Sequence, residues 1–176
     1  MSRQIPILFT DPMVLAILAG TKTQTRRPLT NKPVPEVGDV LYVREGWMAE
    51  GYHCFGCDDA CDCGAALIRY RADGARLGKV YDTARKGLKM VDHPGCVDKV
   101  PQWDTGFRSA MEHPKWAARL HLRVVNVGTQ PLEQINEADA LAEGFRDRAA
   151  FLRTYRAIYP KEYNPTVRVI VFERTR

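Results

Sequence analysis

The sequence predicts an α+β protein built mostly on antiparallel strands. Three observations point there. Short apolar segments alternate with polar residues at 40–47, 120–127 and 166–173. Three brief helical stretches carry their own start and stop signals. The length of 176 residues, with 45% hydrophobic and 27% charged, suits a single domain, 1–176, with one core.

Residues 5–10 read as a first strand. Thr10, Asp11 and Pro12 then start a helix, with proline where its missing donor is harmless. Met13, Val14, Ile17 and Leu18 share a face, and Gly20 ends the helix. Residues 28–35 hold three prolines and read as a surface connection, and residues 36–39 as a turn. From 40 to 47 a strand places Val40, Tyr42 and Arg44 on one side and Leu41, Val43 and Glu45 on the other. Glu45 therefore lies either at a solvated strand end or inside a pocket, where an acid needs a partner such as Lys22 or an arginine.

Strand character returns at 66–72, and residues 74–100 read as a long polar loop with a hairpin near 77–81. Trp116 is expected in the core rather than stacked on a base. Leu120, Leu122 and Val124 mark the buried side of the next strand. Asn136 caps a helix over 137–143 that Gly144 ends, and Asp147 caps another over 148–158 that Pro160 stops. The closing strand is expected to turn Val167, Val169 and Val171 one way.

A cysteine-rich insertion, roughly 50–66, interrupts this pattern. Cys54, Cys57, Cys61 and Cys63 have the spacing C-x2-C-x3-C-x-C, and four thiolates so close can close on one tetrahedral zinc ion. His53, His93 or Cys96 could replace one of them. With four protein ligands the zinc would be structural, ordering a loop that has few apolar residues of its own. The N-terminus lacks the apolar core of a signal peptide, and no apolar run approaches the ~20 residues of a membrane helix. A cytoplasmic protein is expected, and the net charge of +5 modestly favours a polyanionic partner.

The densest chemistry lies at 19–27, where Gly20, Lys22, three threonines, Gln24, Arg26 and Arg27 fall together. In an extended chain Lys22, Gln24 and Arg26 share one face. A lysine amine near a threonine hydroxyl serves as an anion clamp or as a base and nucleophile. A solvated basic turn would have the same composition.

Residues 20–27 resemble the G-x-K-T-x-T-x-R signature of ASCH domains. Ile7-Leu8-Phe9, the stretch 38–45 followed by Trp47, Tyr70 to Asp73, Pro114 to Arg119, Glu137 to Ala140 with Glu143 and Gly144, and Val169 to Glu173 resemble the phage and prophage branch of that family. The resemblance implies a PUA-like, mostly antiparallel β-barrel with flanking helices, into which the cysteine-rich segment is inserted. It also implies an RNA, nucleotide or nucleoside ligand. One small relative hydrolyses the acetyl amide of 4-N-acetylcytidine with a Lys, Thr and Glu set. Its Lys-Thr-x-Thr segment matches Lys22 to Thr25, and a shared Ile158-Tyr159-Pro160 brings its glutamate onto Glu143. Thr25 would then be the nucleophile, Lys22 its base or an oxyanion stabiliser, and Glu143 would orient the amine or shuttle the proton.

Three functions follow as expectations: a binding module for RNA or a nucleotide with a basic cleft of Lys22, Arg26, Arg27, Arg44 and Arg71 beside Glu45; an amidohydrolase acting on a modified nucleoside; and a phage-type accessory protein working through protein contacts.

Overall fold

The computed structural model describes residues 2–30, 33–52, 65–82, 103–104, 106–160 and 164–175. The element order is β1 (Gln4–Leu8), α1 (Asp11–Leu18), β2 (Gln24–Pro28), β3 (Val40–Arg44), β4 (Trp47–Tyr52), β5 (Ala65–Tyr70), β6 (Arg76–Asp82), β7 (Trp103–Asp104), β8 (His121–Pro131), α2 (Glu137–Ala142), α3 (Arg148–Ile158) and β9 (Thr166–Arg174). The chain divides into two compact units. One comprises Met1–Ile7, Pro12–Val43 and Leu120–Arg176, and the other Leu8–Asp11 and Arg44–Arg119.

The first unit is organised on a five-stranded sheet of order β1-β3-β8-β9-β2. β9 lies beside both β8 and β2, antiparallel to each, with Thr25 opposite Ile170 and Arg26 opposite Val169. The core under α2 and α3 gathers Leu132, Ile135, Ala140, Phe151, Leu152, Tyr155 and Val167. Both helices start as expected: Asn136 accepts from the Asp139 N–H at 2.8 Å and Asp147 from the Ala150 N–H at 2.6 Å. Leu120, Leu122 and Val124 are buried, as their alternation predicts. The last strand differs. Val167 is buried on one face, whereas Ile170 and Phe172 are buried on the other, in place of Val169 and Val171. A strand covered on both faces loses the clean two-residue alternation of a half-exposed sheet.

The second unit carries a four-stranded sheet of order β6-β5-β4-β7. Its core holds Trp47, Ala49, Ile68, Tyr70 and Ala117, with Trp116 and Leu77 packed against it. The strand expected over 40–47 is broken at Glu45 and Gly46, so that β3 and β4 belong to different sheets.

The PUA-like β-barrel is therefore corrected. The described residues form two open sheets, one bounded by β1 and β2 and the other by β6 and β7, and neither closes on itself. In the first sheet the edge strands β1 and β2 each have one neighbour, β3 and β9 respectively, and a barrel would require them to pair with each other. The α+β class stands with three α-helices among the described residues. No helix of the described residues is long and apolar enough to cross a membrane.

Candidate functional site

The site forms where the chain leaves α1. Gly20, at φ 75°, turns the backbone in the left-handed region, and the Thr21 and Lys22 amides both donate to the Ala16 carbonyl. Lys22 then forms an antiparallel bridge with Glu143, and the Thr23 N–H donates to the Ala142 carbonyl at 2.8 Å. The Phe172 N–H donates to the Thr23 carbonyl, which ties the segment to β9. Gly144 makes the approach possible. Its φ of 84° suits glycine, and a Cβ there would lie 2.8 Å from the Ala16 Cβ and 3.3 Å from the Lys22 Cβ.

Lys22 is fully buried, its side chain 0% exposed. Its Nζ donates to the Gln24 carbonyl at 2.9 Å, the Glu143 carbonyl at 2.8 Å and Glu143 Oε2 at 2.7 Å. Three acceptors match the three protons of an ammonium. Burial nevertheless holds the amine below the usual lysine range. Glu143 opposes that shift, and Arg27 and Arg26 add to it. Lys22 thus releases a proton more readily than a surface lysine does.

Arg26 completes the cluster. Its NH1 donates to Glu143 Oε1 at 3.1 Å, and its NH2 lies 3.0 Å from Asp139 Oδ2. Gln24 Nε2 donates to the Asp139 carbonyl at 2.9 Å and to Oδ1 at 3.1 Å. In the amide orientation that satisfies both partners, the Gln130 oxygen accepts from Arg26 NH2 and Nε at 3.0 and 3.2 Å. Partial burial pushes the Asp139 carboxyl up, but hydrogen bonding to Gln24 and the Arg26 charge hold it below the usual range. Two cations thus face two carboxylates. Lys22, Gln24 and Arg26 reach α2 or its C-terminal cap from one strand face, as the extended reading of 19–27 expects.

Thr25, 2% exposed, opens with Arg26, Arg27 and Glu143 onto a recess of about 20 Å³. Phe145, Phe151, Tyr155 and Tyr159 supply its aromatic walls. That volume holds about one water molecule. Arg27 NH1 donates to the Tyr159 hydroxyl at 3.2 Å, and Ile158, on the same lining, is 44% exposed. Lys22 does not line the recess; it sits behind Glu143.

Arg44, Glu45 and Arg71 are engaged within the second unit. Arg44 donates to the carbonyls of His113 and Met111. Arg71 Nε lies 2.7 Å from Asp11 Oδ2. Glu45 is buried rather than solvated, and its partner is Arg119, which donates to both carboxylate oxygens at 2.9 and 2.7 Å. Burial pushes the Glu45 carboxyl up against the pull of Arg119. Arg119 also reaches Asp73 at 2.8 Å and covers the Tyr70 ring at 4.0 Å.

The sequence reading missed Asp139, Arg119 and Tyr159 as partners of these groups. Asp139 alone carried a signal, since it precedes Glu143 by one helical turn. Among the described residues no group of three or more His, Cys, Asp and Glu is placed to hold a metal. Cys54, Cys57, Cys61 and Cys63 lie outside the described residues, as do His53, His93 and Cys96.

No protein-family model matches the chain, and no curated protein matches it either. Among solved structures, the crystal structure of protein EF3133 from Enterococcus faecalis V583, of family model DUF984, is similar at 12% identity and a TM-score of 0.44. The likeness covers 99% of this chain and 81% of that one, and no residue role is carried over from it.

Proposed function

We propose that the chain is an ASCH-related hydrolase that cleaves an amide on a modified nucleoside, with Thr25 as nucleophile. The observation that carries this reading is that Thr25 and Glu143 line one recess, with Lys22 and Arg26 bound to the Glu143 carboxylate. In the proposed step the Thr25 oxygen bonds to the amide carbonyl carbon while its proton passes to Glu143. The carbon–nitrogen bond breaks, the amine leaves with that proton, and water then hydrolyses the acyl-threonine ester. Lys22 acts through Glu143 as an electrostatic anchor and proton reservoir.

Each cation of the expected basic cleft already has an internal acceptor. Lys22 and Arg26 hold Glu143, Arg71 holds Asp11, Arg27 donates to Tyr159, and Arg44 donates to backbone carbonyls. A nucleoside is far larger than the recess, so in this reading its base and sugar lie outside the recess. The substrate is a cytoplasmic nucleoside or the same group carried on RNA, and zinc at the cysteine loop is structural.

Turnover of 4-N-acetylcytidine by wild type and Thr25→Ala, followed by chromatography, tests the reading. Deacetylation that disappears in the variant is the expected result. No product at high enzyme concentration, or undiminished turnover by the variant, overturns it.

A further inference from the structure

We propose that Arg26 is a positioning residue that fixes the rotation of the Glu143 carboxylate, holding one oxygen on its guanidinium so that the other is turned to Lys22. The inference rests on the hydrolase reading above and names how its proton carrier is oriented.

Glu143 has two oxygens, and each accepts a hydrogen bond while keeping a lone pair for the Thr25 proton. Oε1 accepts from Arg26 NH1 at 3.1 Å, and Oε2 from Lys22 Nζ at 2.7 Å. Rotation of the carboxylate breaks both bonds. The second arm of the guanidinium is anchored on Asp139 at 3.0 Å, and Asp139 is itself held by Gln24. Asp139 and Glu143 stand one helical turn apart, where two like charges repel. The planar fork of Arg26 lies between them and offsets that repulsion. Its side chain is 1% exposed and its guanidinium lies 5.9 Å from the centre of the Phe151 ring, so no open water competes for the fork.

A lysine at position 26 keeps the charge but not two directed donors in one plane. Charge and orientation therefore separate experimentally. The groups facing the Lys22 amine are Glu143 from the end of α2, and Arg26 and Arg27 from β2, with Asp139 behind Arg26.

The experiment compares the full chain with Arg26→Lys, Arg26→Gln and Asp139→Asn. Two readouts are taken: kcat and KM for 4-N-acetylcytidine, and NMR of Lys22, giving its titration and the exchange protection of its Nζ protons. In Arg26→Lys the Lys22 titration stays near wild type, protection is lost, and kcat falls on the order of 100-fold with KM little changed. In Arg26→Gln the titration also moves up. Asp139→Asn, which preserves side-chain shape, gives a smaller loss of kcat and protection and carries the test if Arg26→Gln does not fold.

Wild-type kcat or unchanged Nζ protection in Arg26→Lys overturns the proposal. A fall in kcat that follows only the Lys22 titration also overturns it. If the wild type shows no turnover but protection is lost in Arg26→Lys, the positioning stands and the hydrolase reading falls.

Discussion

Lowering the pH from 7 to 4 removes about 3 kcal/mol of stability through His113 alone. The residue is 1% exposed, between the rings of Trp47, edge-on at 6.2 Å, and Tyr70, tilted at 6.1 Å. Neither ring nitrogen has a well-aligned hydrogen-bond partner among the described residues. Burial, with Arg44 and Arg119 nearby, pushes the imidazole down to about 4, and a backbone contact at Pro114 pulls weakly the other way. In the unfolded chain the same group titrates near its ordinary value of about 6.5. The depressed value sets the sign. Above about pH 6.5 neither state binds the proton and the contribution is complete; as pH falls toward 4 the unfolded state takes the proton first, and stability drains away. A gap of about 2.5 pH units, at 1.36 kcal/mol per unit, gives the figure of about 3 kcal/mol. Urea unfolding of wild type and His113→Phe from pH 8 to 4 measures it. The difference between the two curves cancels the carboxylates that titrate in both. Wild type should lose about 3 kcal/mol more than the variant over this range. Parallel curves, or an NMR titration of His113 near 6.5, would refute the reasoning.

Two further outcomes are expected. Gly144→Ala places a methyl group 2.8 Å from the Ala16 Cβ at a φ of 84°, and thermal or urea unfolding should show a loss on the order of 3 kcal/mol; wild-type stability would mean that the helix-to-strand approach is looser than described. The cysteine spacing calls for one structural zinc per chain, lost in Cys57→Ser, with metal analysis and thiol titration as the check; a metal-free chain with freely reactive thiols would remove zinc from the account.

The residues differ in how far their sequence context revealed them. Lys22, Gln24 and Arg26 were legible as one face because a strand alternates every second residue, wherever it lies. Leu41 and Val43 were legible in the same way and are buried; Glu45 shares their face, but whether it met solvent or a pocket was left open, and it is buried. That Glu45 would meet Arg119 was not, because the two are 74 positions apart and nothing local links them. The alternation at Val167, Val169 and Val171 misled, since α2 and α3 cover one face of β9 and other core residues occupy the opposite one. The barrel came from the resemblance to ASCH domains, and nothing in the strand pattern could test it. Periodicity says which way side chains point but nothing about which strand edges meet, and Gly46 gave no warning that the chain would change sheets there. His113 carried no signal at all, because its burial arises from tertiary packing.

The Lys22–Glu143 bridge also bears on how the protein is made. The partners are 121 positions apart, and closing a loop of that length costs about 4 kcal/mol in chain entropy. A buried ion pair roughly breaks even against its own desolvation, so it does not pull the chain together. The pairing of β9 with β8 and β2 does that, and β9 is synthesised after both of them. During synthesis Lys22 therefore stays hydrated until the sheet that will enclose it is complete. A buried charge pair so distant in sequence thus depends on strand pairing elsewhere to bring its two halves together.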